Sequence, residues 1–518
     1  LAHGELTPAR YALERALTLF RPARVAARYG EIRRPDPRSA TLILRDLAVR
    51  VRDLSGADRE QALAILARPT EYDTDLDPDS YSTTEATPVC GTNVCVHYVT
   101  STSDAVSSTD TTPANGVPDY VDQALDVFDA EVWGEEVTTL GYRPPKSDIT
   151  SMNDGTSSAD PTGAKFDVYL ANLGDKGLYG YCTTDDPHLQ GGYFFFDMSA
   201  YCVVDNNYTE PVFGAHSPLE NLEVTAAHEF FHAIQFAYDA FEDQWLLEAT
   251  ATWMEDEVYT DVDDNLQYLV TGPLAKPSIP LDKGGQCCHV YGDWIFFRYL
   301  SEEFSTGLMR SIWHNADGSS DTDGAGPDGV GRDDYSIQAI SRVLRSRGGF
   351  RARFAQFGWM NRIARVPGVY DEGPANHYPQ SPLTASPMKL SKSKPSRSRS
   401  ITLKHQTSAY YEFKRGSGVG RRAKLKVAFS LPSTSTGAAA SALVFKKTGA
   451  VSAFTLGIPK SGDGTIKFGF GKTVSKIDIV LSNGSNRYKN CFAKTTPYAC
   501  SGVSRDDHHT YELTGRIA

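Results

Sequence analysis

No stretch of about 18 consecutive apolar residues occurs in the 518-residue chain, so nothing in it reads as a membrane-crossing helix. There is no overall excess of positive charge. With 52 Lys and Arg against 64 Asp and Glu, the net charge is −12, which argues against a nucleic-acid partner for the chain as a whole. The eight cysteines include no CxxC pair, the usual mark of zinc-ribbon or redox cysteines. No long internal repeat argues for a solenoid. No signal-peptide pattern is visible. The first residue is Leu1 rather than Met, which fits removal of an upstream segment.

What is present reads as globular: 40% hydrophobic and 22% charged residues, in a chain long enough for roughly two to four domains. Cys90 and Cys95, Cys182 and Cys202, and Cys491 and Cys500 each flank a short turn-rich stretch that suits a local disulfide, with free thiols or metal ligands as the alternative. Adjacent Cys287 and Cys288 either form a vicinal bridge or stay free. Disulfides favour a secreted, extracellular protein.

Residues 1–80 read as a helical segment, with helical spacing over Tyr11 to Arg28 and Ala57 to Ala67, serving either as a propeptide or as an accessory domain. The acidic stretch Asp73 to Asp79 is a turn-rich link. A second domain, 84–378, opens with a strand at Val96 to Val99. It continues with the oxygen-rich run Asp110 to Asp119 and Asp122, which is either a calcium (Ca2+) loop or a polar turn whose Asp119 caps a helix from Tyr120 to Val132. Phe166 to Leu170 and Gly192 to Phe196 read as strands. The Asp/Gly-rich loop Asn315 to Asp334 is disordered or a further weak calcium candidate. Residues 379–400 form a Pro/Ser/Lys linker, and Lys389 to Lys404 holds no acidic residue. Residues 401–518 alternate in short apolar runs, Lys424 to Leu431, Ala442 to Lys446 and Ile477 to Leu481, as a β-sandwich does.

The chemistry concentrates in Glu223-Val-Thr-Ala-Ala-His228-Glu229-Phe-Phe-His232, which contains HExxH. On a helix, residues four apart share a face, so both imidazoles can reach one ion while Glu229 stands one residue round and can act as a base. Alone, the motif also fits a half-buried helix with two incidental histidines. Sixteen residues after His232 comes Glu248, in Trp245-Leu-Leu-Glu248-Ala-Thr-Ala, and Glu255 lies seven further on. A catalytic zinc (Zn2+) takes three protein ligands and leaves one position open, and Glu248 supplies the third. Glu255, on the same helical face, can hold a liganding imidazole through a hydrogen bond.

HExxH followed by Trp-Leu-Leu-Glu-Ala-Thr-Ala resembles the gluzincin pattern of the zinc aminopeptidases, HExxH then WLxEGxA. The resemblance implies a zincin-like catalytic domain in an α+β protein, with His228, His232 and Glu248 as ligands, Glu229 as base and Glu255 in support. It also implies a tyrosine that stabilises the oxyanion, for which Tyr291 in His289-Val-Tyr291-Gly is the match, His289 the alternative, and a core tyrosine the plain reading. Ala249 stands where that pattern has Gly, the gap between the blocks is shorter, and no GxMEN precedes them, so aminopeptidase specificity is not implied. The blocks HEFFHAIQFAYD, EATATWMEDEVYTDVDDN and YGDWIFFRYL are similar to a family of secreted bacterial proteins classed as metalloproteases, over about residues 85 to 510. The expectation is therefore a secreted zinc peptidase acting on protein or peptide. Its C-terminal domain would contact substrate, carbohydrate or the cell surface. The rivals are a non-catalytic extracellular zinc protein and a metal-dependent hydrolase of another bond.

Overall fold

Proline sets the first feature of the fold. The helical spacing of Tyr11 to Arg28 is broken by Pro22, which has no N–H to continue a helix but suits a first helical position. The chain therefore forms α1 (Pro8–Phe20) and α2 (Pro22–Tyr29). A computed structural model describes residues 6–32, 36–71, 76, 79–146, 165–185, 197–285, 288–317, 334–492 and 496–518. The expected strand at Gly192 to Phe196, most of the acidic link and most of the 315–334 loop lie outside these. The chain is α+β and divides into two compact units. The first comprises residues 1–242, 250–264 and 316–333; the second comprises 243–249, 265–315 and 334–518.

In the first unit, α1 and α2 are followed by α3 (Ala40–Ala48) and α4 (Gly56–Ile65). A five-stranded sheet contains β1 (Val89–Cys90), β2 (Val94–His97), β3 (Phe166–Ala171), β4 (Gly180–Thr183) and β5 (Tyr201–Asp205), in the order β1-β2-β3-β5-β4. The strand expected at Val96 to Val99 thus begins two residues earlier. β2, β3 and β5 run parallel, while β1 and β4 are antiparallel edges. The parallel strands are buried at every residue, which is why they read as continuous apolar runs rather than alternating ones. Disulfides link Cys90 to Cys95 and Cys182 to Cys202, each across directly paired strand positions. The helix expected over Tyr120 to Val132 is α5 (Asp119–Leu125), continued by π-helical turns at Asp126–Val132 and Gly134–Thr139. α6 (Pro218–Asp239) packs on β4 and β5, and α3 packs on β4. α7 (Gln244–Val258) follows, with residues 250–258 in this unit and 244–249 in the second.

The second unit carries α8 (His289–Gly292), α9 (Trp294–Glu303), α10 (Thr306–Ala316), α11 (Ile337–Leu344) and α12 (Phe350–Arg362). Its strands are β6 (Met388–Leu390), β7 (Ser396–Leu403), β8 (Thr407–Arg415), β9 (Lys424–Ser430), β10 (Ala438–Lys446), β11 (Val451–Thr455), β12 (Asp463–Gly469), β13 (Val474–Asn483), β14 (Tyr488–Lys489), β15 (Val503–Ser504) and β16 (His509–Ile517). Two sheets, β11-β10-β13-β8-β6 and β12-β9-β16-β7, share one apolar core containing Phe413, Ile477, Ile479, Leu425, Val427, Phe429 and Leu513. The outer side of the first sheet is covered by α12, with the Tyr410 hydroxyl donating to the Gly358 carbonyl at 2.9 Å. β6 and the first five residues of β7 lie inside the stretch expected to be a linker. Ser396 to Ser400 alternates Ser and Arg at the sheet's edge, so it pairs as a strand while looking polar in sequence.

Candidate metal centre

α6 starts from Pro218 at its first position and a capping box, in which the Ser217 hydroxyl accepts from Glu220 N–H and the Glu220 carboxylate accepts from Ser217 N–H. Eighteen of its 22 residues are buried, because apolar side chains surround the polar stripe of His228, Glu229, His232 and Gln235. A helix buried nearly all round needs partners for each polar group it carries.

Each imidazole has a polar partner at its Nδ1. His228 Nδ1 lies 2.6 Å from Glu255 Oε1, and His232 Nδ1 lies 2.6 Å from Gln235 Oε1. Gln235 Nε2 in turn donates to Thr250 Oγ1 at 3.0 Å. If each ring donates its Nδ1–H to these acceptors, each Nε2 carries a lone pair. The two Nε2 atoms face each other at 3.1 Å. Lone pairs so placed repel unless a cation or a proton stands between them. Glu248 is fully buried, and its carboxylate offers an oxygen that lies, with a nitrogen of each histidine, in a group whose atoms are all within 4.8 Å of one another. Among the described residues this is the group suited to hold a metal ion. Two neutral imidazoles and one buried carboxylate fit a divalent cation, and zinc takes this donor set.

Burial pushes the Glu255 carboxyl up to about 7, opposed by the hydrogen bond and charge of His228. Glu229 is buried beside the ligands but is not one of them. Its Oε2 accepts the Thr41 hydroxyl proton at 2.6 Å, and Thr41 Oγ1 accepts from Cys182 N–H at 2.9 Å. Arg45, one turn along α3, donates to the carbonyls of Ala240 and Glu242 at 2.6 and 3.1 Å, tying α3 to the end of α6. Glu136, in the π-helical turn, is fully buried with neither oxygen hydrogen-bonded. Burial raises its pKa well above the carboxylate range, and the nearby His228 imidazole opposes that rise.

Gln235, Thr250, Thr41 and Glu136 were not singled out from sequence. Gln235 carried a usable signal, its position three residues after His232 on the same helical face. Tyr291 sits in α8, buried, its ring tilted against Tyr268 at 5.1 Å. His289 has both nitrogens near backbone carbonyls, Nδ1 at 3.0 Å from Thr271 and Nε2 at 3.1 Å from Pro280, and burial lowers its pKa.

In the acidic run of the first unit, Asp110 accepts from the backbone of Asn115 and Gly116, and Asp119 from that of Thr111 and Thr112. These carboxylates are engaged within the turn. Asp119 is the first residue of α5 and Pro118 its cap, so Asp119 braces the turn rather than capping the helix. The third expected disulfide, Cys491–Cys500, is formed. Cys288 is disulfide-bonded, Cys287 falls outside the described residues, and no described cysteine is free. No described helix is long and apolar enough to cross a membrane. The disulfides are compatible with an extracellular protein.

No family model matches the chain, and no curated protein does. Among solved structures, CorA of Methylomicrobium album BG8, described as a surface-associated copper-binding protein important in copper acquisition, matches 26% of this chain and 99% of its own. At 11% identity and a TM-score of 0.17, that likeness carries no argument about fold or function.

Proposed function

We propose that the chain is a secreted zinc-dependent peptidase with a zincin-like catalytic domain of gluzincin type. The observation that carries the reading is the convergence of His228 Nε2, His232 Nε2 and the buried Glu248 carboxylate, with Glu229 next to them and outside the ligand set. A purely structural ion has no use for that extra carboxylate.

A zinc ion held by the three would polarise a scissile carbonyl and acidify water. Glu229 takes a proton from the attacking water. The water oxygen bonds to the carbonyl carbon, the C–N bond breaks, and Glu229 returns the proton to the leaving amine. Glu255 and Gln235 favour the Nδ1–H form of both imidazoles, in which Nε2 is the ligating nitrogen. Tyr291 is the proposed donor to the oxyanion.

The deciding experiment is Glu229→Gln on the purified protein, with metal analysis and a casein or peptide digest. The reading expects one zinc per chain in both proteins and a loss of hydrolysis of about 10²-fold or more in the variant. Undiminished hydrolysis would exclude Glu229 as base. A wild-type protein that holds zinc but cleaves no peptide would favour a binding role instead.

A further inference from the structure

The net charge of −12 hides a strong asymmetry. Residues 379–518 carry 23 Lys and Arg against 6 Asp and Glu, a net of +17, whereas residues 1–378 carry 29 against 58, a net of −29. Charge separated this far along one chain points to a polyanionic partner for the basic part.

The sheet register says where that charge is displayed. In β12-β9-β16-β7, alternate residues Leu425, Val427, Phe429, Tyr511 and Leu513 face the sandwich core, so the residues between them face outward. On that face Lys467 lies directly opposite Lys426, Lys426 opposite Arg516, and Arg516 opposite Ser396. Lys424 stands one step along β9. Strand spacing sets neighbouring cations in the row roughly 5 Å apart at their Cα atoms. Lys467, Lys426, Arg516 and Lys424 are all exposed. Like charges directly opposite each other destabilise a sheet, and an acid among them would relieve this. None is present in the row. The flanking positions are Gly469, Lys424 and Ala518 on one side, and Thr465, Ala428, Thr514 and Ser398 on the other. Asp463 and Glu512 share the face only two rows further along.

The rest of the face selects among polyanions. Its outward positions hold no aromatic ring on which a base could stack. They hold no large apolar side chain to enter a bilayer. The aromatic Phe429, Phe468 and Tyr511 pack toward the core. Beside the cations stand the hydroxyls of Thr465, Thr514 and Ser398, with Ala428 between the first two and Ser398 Oγ 2.8 Å from Thr514 Oγ1, small polar groups that suit sugar hydroxyls.

We infer that the open face of the β12-β9-β16-β7 sheet is a docking surface for an anionic polysaccharide, whose carboxylate or sulfate groups lie along Lys467, Lys426 and Arg516. The inference makes no use of the metal centre and stands apart from the peptidase reading. Its test uses the full-length protein and polygalacturonate as probe, at near-physiological ionic strength. Neutral dextran, a short DNA duplex and phosphatidylglycerol vesicles serve as comparisons. The face variant is Lys426→Gln/Lys467→Gln/Arg516→Gln. The control variant, Lys446→Gln/Lys447→Gln/Lys460→Gln, removes the same charge elsewhere in the domain. Polygalacturonate should bind the wild type, dextran should not, and DNA and vesicles should bind more weakly. The face variant should lose affinity by about tenfold or more and show a shallower salt dependence, while the control changes by less than about threefold. No binding of polygalacturonate, an equal loss in both variants, an unaffected face variant, or DNA or vesicles binding as tightly as polygalacturonate would each overturn it.

Discussion

Thr41 donates its hydroxyl to Oε2 of Glu229 at 2.6 Å, joining two residues 188 positions apart. The Thr41 hydroxyl oxygen in turn accepts the backbone N–H of Cys182 in the edge strand β4. One small side chain from α3 therefore fixes the proposed base to the sheet. Thr41→Val keeps the shape and removes the hydroxyl. It takes one hydrogen bond from a charged group and leaves a buried N–H without its acceptor, an expected cost of about 2 kcal/mol. Denaturant unfolding should show that loss while zinc content stays at the wild-type value. An unchanged midpoint would mean that Glu229 is held by other contacts.

The ligands and their supports should separate in metal titrations. His228→Ala, His232→Ala and Glu248→Ala each remove a donor from a three-donor site and should abolish stoichiometric zinc. Gln235→Ala and Glu255→Gln leave the donors in place but loosen the ring orientation, and should weaken zinc by about 10- to 100-fold. Full retention of zinc by Glu248→Ala would refute the proposed ligand set.

A second histidine reports on pH. His405 is buried between Asp282, 2.9 Å from its Nε2, and Asp507, 2.7 Å from its Nδ1. Although burial opposes it, the two carboxylates raise the imidazole from 6.5 to about 9, and His405 holds Asp507 down at about 2. A raised folded-state pKa contributes stability that is complete below 6.5 and is lost as the pH climbs through about 9. The lowered Asp507 contributes above 3.8 and is lost as the pH falls through about 2. The stability advantage of wild type over His405→Gln should therefore be largest near pH 4 to 6.5 and shrink toward pH 9. Urea unfolding across that range measures it, and a constant difference would show that His405 does not titrate as described.

Arg68 enters the first unit as a buried cation. It pairs with Asp167 and, at 3.0 Å, with Asp185, and Asp167 also meets His97 Nε2 at 3.1 Å. Arg68→Met leaves two buried carboxylates short of their cation, so a loss of about 3 to 5 kcal/mol is expected. Thermal unfolding that matches wild type would place those charges in water instead.

The proposed liganding pair was legible because helical periodicity is local: His232 lies four residues after His228 and Glu255 seven after Glu248, each close to a whole number of turns. The apolar runs of the C-terminal strands were legible for the same reason. What escaped detection depends on contacts between distant parts of the chain. Nothing near Thr41 in sequence shows that it faces Glu229. β4 and β5 are short and buried on both faces, so they lack the alternation that marks a half-exposed strand. β7 was hidden because an edge strand of Ser and Arg has a linker's composition, and only its pairing with β16 gives it away.

The encasement of α6 has a kinetic consequence. The imidazoles are held by their neighbours within the packed interior. A zinc ion bound there as proposed would enter and leave only through a transient opening of that interior. Zinc exchange with a chelator should then proceed at the pace of that opening, largely independent of how much chelator is supplied.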